Sequence, residues 1–312
     1  MTWRTFVAQP SELGESPFWH PEEQMLYWVD ISGQQIHRCS MGLGGSAGAV
    51  QSWTMPSEPG SIAPARTHGR TSGLVVALRD GIYRARQWGG SLERLALAKH
   101  DPATTRFNDG KADPAGRFWA GNIYEPRDAA RAQLFSLDCR NGQPPALEIK
   151  AADATIANGL AWSPDAATVY WSDTFSHTIR AWDWNAADNV MSHERIFKRW
   201  PVKPASWQSG MPGYGGRPDG AAVDVKGNYY VAMFEGARVL KLSPAGEVLL
   251  EIAVPAQCPT MPCFGGADLQ TLYLTTARQN RPTAELQLYP DSGCVLSMRV
   301  DVPGLPVNFF LD

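Results

Sequence analysis

NGLAWSPDAATVYWSDTFSHTIRAWDW (residues 158–184) holds a short apolar run, a Pro/Asp turn, an aromatic run closing on Asp, a loop and a third apolar run. The succession recurs along the chain. MLYWVDI (25–31), GRFWAGNIY (116–124) and NYYVAMF (228–234) follow turns of the type HPEEQ, DPAGR and DVKGN, and each precedes a further run: QQIHRCS, AQLFSLD or RVLKLS. GLVVALRDGIYRA (73–85) and TLYLTTA (271–277), the latter followed by CVLSMRV, complete the series. Runs this short, rich in aromatic and β-branched residues and bounded by turn formers, predict strands. The 29 glycines and 24 prolines are spread throughout, so no window of helical length shows an unbroken apolar stripe. Six such units in about 300 residues match the period of about 40–50 expected of propeller blades. The expectation is an all-β chain forming a six-bladed β-propeller, one domain over 1–312; a β-sandwich of similar strand number is the alternative on pattern alone.

The totals exclude several classes. A net charge of −3 without any Lys/Arg run argues against nucleic acid as a partner. No apolar run is long enough to cross a bilayer and MTWRTFVAQPSELGESPFW lacks the apolar core of a secretory signal, so no membrane partner and a cytoplasmic location are expected. The five cysteines are scattered and odd in number, which fits buried thiols better than a disulfide framework. The six histidines lie at non-equivalent repeat positions with no HxH or HxxxH spacing, and no GxSxG occurs. Oligomeric state leaves no mark.

Alignment of the units on their aromatic runs brings polar residues into register. Glu15 lies twelve residues before Tyr27 and Asn158 twelve before Tyr170, while Asp219 lies eleven before Tyr230 and Asn108 eleven before Trp119. Each stands where its unit begins, so all four should converge at one end of the channel; FGGADL (264–269) is expected to hold that place in another unit. Any one of them alone reads as a turn former. Together they are oxygen donors suited to a hard divalent cation.

LGESPFW (13–19), RFNDGKADPAGRFWAGN (106–122), NGLAWSPD (158–165), RPDG (217–220) and CFGGADLQTLYLTTA (263–277) run in order over nearly the whole chain, and in them the chain resembles the gluconolactonase, regucalcin and senescence-marker-protein family. The resemblance implies a six-bladed propeller that binds one divalent metal ion (Ca, Mg, Mn, Zn or Fe, not distinguished here) and opens sugar-acid lactones. Carried over motif by motif, the metal ligands are Glu15, Asn158 and Asp219, and the substrate is held by Arg106 and Asn108. Asp219 is then the candidate catalytic base, with metal-activated water as the alternative. Asp109 either accepts from Arg106 or lines the cavity, and Glu125 stands where relatives place a further acidic residue beside the substrate. Asp113 begins the turn DPAG, and Asp30 and Asp173, at the ends of YWVD and YWSD, are expected to brace their blades. The stretch PVKPASWQSGMPGYGG (201–216) is expected to form a lid. Two other functions compete: a non-catalytic, calcium-binding propeller of regucalcin type, and a different lactonase or esterase on the same fold.

Overall fold

The computed structural model describes residues 2–312 and is a six-bladed β-propeller. Each recurrence in the sequence becomes one antiparallel sheet, ordered from the axis outward. Blade 4 shows the mapping: Ala157–Trp162 lines the channel, Thr168–Asp173 carries the aromatic run, and Thr178–Asn185 and Val190–Arg199 follow toward the rim. The inner strands of the other blades are Gly14–His20, Ser61–Thr67, Thr105–Ala112, Arg217–Val223 and Pro259–Gly265. Burial falls from axis to rim: Gly14–His20 is buried at every position, whereas Val190–Arg199 is largely exposed. An inner strand flanked by neighbouring blades has no solvent face, so its polar residues are placed by the channel rather than by alternation.

Both ends of the chain close the ring. Arg4–Val7 is the rim strand of the last blade, pairing antiparallel with Val295–Arg299. Phe310–Leu311 adds in parallel to Ser61–Thr67 and extends the second blade to five strands. The added strands cover edges that would otherwise invite pairing with another chain.

Apolar clusters weld the blades together. Between the third and fourth, Trp119, Trp162 and Trp184 meet edge to face or tilted, with Trp119 and Trp162 centroids 5.6 Å apart at 82°. Such pairs contribute about 0.5–1.5 kcal/mol beyond their burial. The turn at Asp113 is tied into this core: its carboxylate accepts from Ala115 N, Arg117 N and the Trp119 indole at 2.8–3.0 Å. Asp30 accepts from the backbone of Glu12, Leu13 and Gly33, and Asp173 from that of Thr155, Ile156 and Phe175, so both brace the segment leading into their blade. All five cysteines are buried and unpaired. Among the described residues, no helix is long and apolar enough to cross a membrane.

Candidate active site

Four inner strands share one irregularity, and it aims the site. In each, three steps along the inner strand are matched by two on its neighbour: Glu15 to Phe18, Phe107 to Gly110, Asn158 to Ala161 and Pro218 to Ala221. Such a bulge turns side chains out of the ordinary alternation. Glu15 and Asn158 are the last paired residues before it, and Asn108 and Asp219 its first unpaired ones. All four stand three positions ahead of the residue that pairs with the blade's aromatic: Phe18 with Tyr27, Lys111 with Trp119, Ala161 with Tyr170 and Ala222 with Tyr230. In the fourth blade the bulge needs glycine. Gly159 has φ +61°, and a Cβ there would lie 2.2 Å from Ser172 Oγ and 2.5 Å from the Tyr229 hydroxyl.

These residues line one cavity of about 580 Å³ at the channel mouth. A hydrogen-bond relay orients them across three blades. Arg106 Nη1 donates to Asn108 Oδ1 (2.8 Å), Asn108 Nδ2 to Asn158 Oδ1 (2.9 Å), Asn158 Nδ2 to Thr174 Oγ1 (2.8 Å), and the Thr174 hydroxyl to Pro218 O (2.7 Å). Direction is set at the first link: arginine can only donate, so the Asn108 oxygen faces it and the amide nitrogen faces Asn158. The Asn158 oxygen is thereby left on the side away from Thr174.

Glu15 and Asp219 are each 5% exposed, and neither forms an ion pair among the described residues. Among the described residues Glu15 accepts only from Ser16 N, at 3.1 Å. Burial first, then the charges of Asp219 and Asp109, hold the Glu15 pKa well above the usual carboxylate range; burial and then Asp109 do the same to Asp219, against Arg217. Two buried carboxylates and a fixed amide oxygen form a donor set that a hard divalent cation would neutralise. Arg106 is buried, its pKa pulled down to about 10 by desolvation against Glu125. Nη1 also donates to Phe107 O (2.9 Å), which leaves Nη2 without an acceptor among the described residues.

Glu125 reaches the cavity rim, where it pairs with Arg79 (2.9 Å) and faces Arg106 Nε (3.7 Å). Asp109 does not line the cavity. It lies deeper in the channel, where Oδ2 accepts from Leu160 N (3.0 Å), burial raises its pKa against the opposing charge of Lys111, and Oδ1 has no partner among the described residues. Its backbone neighbours occupy the bulge, which sends successive side chains in different directions.

The sequence reading differs from the structure in two further places. FGGADL is the turn at the far end of Pro259–Gly265, and the bulged residue at the site end is Thr260, whose hydroxyl is spent on Gly14 O and Thr275 Oγ1. The stretch 201–216 contributes no residue to the cavity lining. It is pinned outside it by Lys203 on Glu235 (2.8 Å), Ser209 on Glu285 and Tyr214 on His177 (2.7 Å). Residues not singled out by sequence include Glu58, Thr174 and three arginines, Arg127, Arg217 and Arg281, all lining the cavity. Thr174 follows directly on the aromatic run and Arg217 directly precedes the PDG motif, so both adjoin signals that were legible.

Residues 13–278 match the SMP-30/Gluconolactonase/LRE-like region. The chain is 43% identical over 311 residues to a 6-deoxy-6-sulfogluconolactonase from Pseudomonas putida, covering 99% of this chain and 98% of the relative. It is 31% identical over 308 residues to regucalcin from Danio rerio, covering 96% and 95%. Among solved structures, a calcium-binding protein, regucalcin, from Agrobacterium tumefaciens superposes with a TM-score of 0.86 at 22% identity, covering 99% of this chain and 97% of that one, which speaks to the fold. A matched region spanning most of the propeller, and relatives aligned almost end to end, place this chain in the SMP-30/gluconolactonase/LRE-like family.

Proposed function

We propose that the chain is a sugar-lactone lactonase in which Glu15, Asn158 and Asp219 hold one divalent cation, Arg106 and Asn108 hold the substrate, and Asp219 is the base. The observation that carries this reading is the meeting, in one cavity, of two buried carboxylates that form no ion pair among the described residues with a buried guanidinium whose Nη2 is free to donate. The names of the relatives, one a sulfogluconolactonase, support the substrate class.

When bound, a divalent cation supplies Lewis acidity to the lactone carbonyl oxygen. The chain's own residues do the rest. Arg106 Nη2 donates to the ring-side oxygens, its angle fixed because Nη1 is held by Asn108 and Phe107 O. Asp219 takes a proton from water as the water oxygen bonds to the carbonyl carbon, and the carbonyl π pair moves onto oxygen. That pair then re-forms the carbonyl while the ring C–O bond breaks, and the departing alkoxide takes the proton back from Asp219. The product is the open hydroxy acid. A role confined to holding the cation would leave the Arg106 donor without a purpose.

The test is hydrolysis of a panel of aldonolactones, followed with a pH indicator, by wild type and Asp219→Asn. Acceleration above the spontaneous rate by wild type, lost in Asp219→Asn, is expected. Absence of acceleration on every lactone, in protein with the cation bound, would replace the reading by the cation-binding one.

A further inference from the structure

Four arginines line the cavity, and their pairing is unequal. Arg106 faces Glu125 and Asn108, and Arg281 is held by Glu285 (2.6 Å) and Glu235 (3.0 Å). Arg217 reaches Glu235 with Nη2 (3.3 Å), while its buried Nε has no acceptor among the described residues. Glu235 is shared with Lys203 as well, so one carboxylate serves three cations there. The Arg127 guanidinium forms no hydrogen bond or ion pair among the described residues. Its backbone is fixed, although the side chain is exposed: Arg127 N donates to Tyr124 O (3.1 Å), Glu125 N to Thr104 O (2.9 Å), and the residue sits in the left-handed region at φ +59°. Partial desolvation, then the like charge of Arg217, make its protonated form less favourable, with Glu125 opposing; both of those charges belong to this cavity. The cavity is therefore bipolar, with carboxylates around Glu15 and Asp219 and a cationic wall not fully matched by anions.

We propose that Arg127, with the charge of Arg217 beside it, forms a subsite for an oxyanion carried by the substrate, a sulfonate or phosphate group on the lactone remote from its carbonyl. A guanidinium offers paired donors matched to such groups, and a charge-assisted pair is stronger than a neutral one. This rests on the lactonase reading above, in which the carbonyl lies at Arg106 and Asn108.

The experiment compares kcat/KM for glucono-1,5-lactone, its 6-phosphate and its 6-deoxy-6-sulfonate in wild type, Arg127→Gln and Arg127→Lys. Wild type should prefer at least one anionic lactone over the neutral one by about ten- to hundredfold. Arg127→Gln should remove most of that preference through KM, Arg127→Lys should retain part, and raised ionic strength should erode it in wild type. The favoured substituent identifies the group. Equal use of neutral and anionic lactones by wild type, or an unchanged preference in Arg127→Gln, would overturn the subsite. If no lactone is cleaved, calorimetric binding of gluconate and 6-phosphogluconate decides: an Arg127-dependent preference for the phosphorylated acid upholds the subsite and defeats the lactonase reading, and equal binding overturns the subsite itself.

Discussion

Replacing Thr174 by Val tests whether the polar relay, rather than the cavity shape, orients the site. Thr174 is buried (4% exposed), accepts from Asn158 Nδ2 and donates to Pro218 O. Valine fills nearly the same space and removes both links. The Asn158 amide then keeps a buried N–H without its acceptor, and leaving one such donor unsatisfied costs about 1–3 kcal/mol. For a chain of this length that corresponds to a fall in Tm of about 2–5 °C. The Asn158 amide also keeps only its contact with Asn108 of the two that fix its orientation, and loss of a supporting partner of this kind weakens metal binding by about 10–100-fold. Differential scanning calorimetry and a divalent-metal titration of the same variant read the two effects. Unchanged Tm and unchanged metal affinity in Thr174→Val would show that the relay carries neither stability nor orientation.

Arg106→Lys keeps the charge but cannot hold Asn108 and reach the substrate with separate nitrogens, so kcat/KM should fall about 100-fold in a steady-state assay while metal stoichiometry stays the same; a change of less than about twofold would remove Arg106 from the site. Gly159→Ala should lower stability by at least about 2 kcal/mol, since φ +61° and the Ser172 and Tyr229 oxygens both oppose a Cβ. Thermal denaturation matching wild type would show the bulge to be adaptable. Burial lowers the pKa of His20, His37 and His177, so the unfolded chain takes up protons first as the pH falls below about 6.5, and stability should drop there. With divalent metal held constant, His37→Gln should lose less stability than wild type between about pH 7.5 and pH 5.5; parallel curves would exclude the histidine as a cause.

The blades were legible because their inner registers repeat. Tyr27, Trp119, Tyr170 and Tyr230 each pair with the residue three positions beyond a site residue, so spacing to the aromatic located Glu15, Asn108, Asn158 and Asp219 without knowledge of the bulge. In the sixth blade FGGADL does not hold the place equivalent to the four site positions, because pairing of Gly265 with Thr271 puts that segment at the turn. Asp109 was ambiguous for a physical reason: one step along a bulge changes a side chain's direction, and sequence spacing does not say which way. The arginines were not legible as a set. Arg127 and Arg281 lie in connections, with no period to place them, and their meaning depends on which carboxylates, such as Glu235 and Glu285, fold beside them. The stretch 201–216 carries aromatic residues that suggested a cover, but Trp207 and Tyr214 pack on each other at 5.0 Å and their polar tips are taken by Met211 O and His177.

The central claim is that Glu15, Asn158 and Asp219 hold a cation on which lactone opening depends. It is tested most directly by stripping the protein with a chelator and following the hydrolysis rate of a cleaved aldonolactone as a single divalent metal is added back. The rate should start near the spontaneous one and rise to a plateau that breaks at one ion per chain. Full activity in stripped protein, unchanged by added metal, would contradict it.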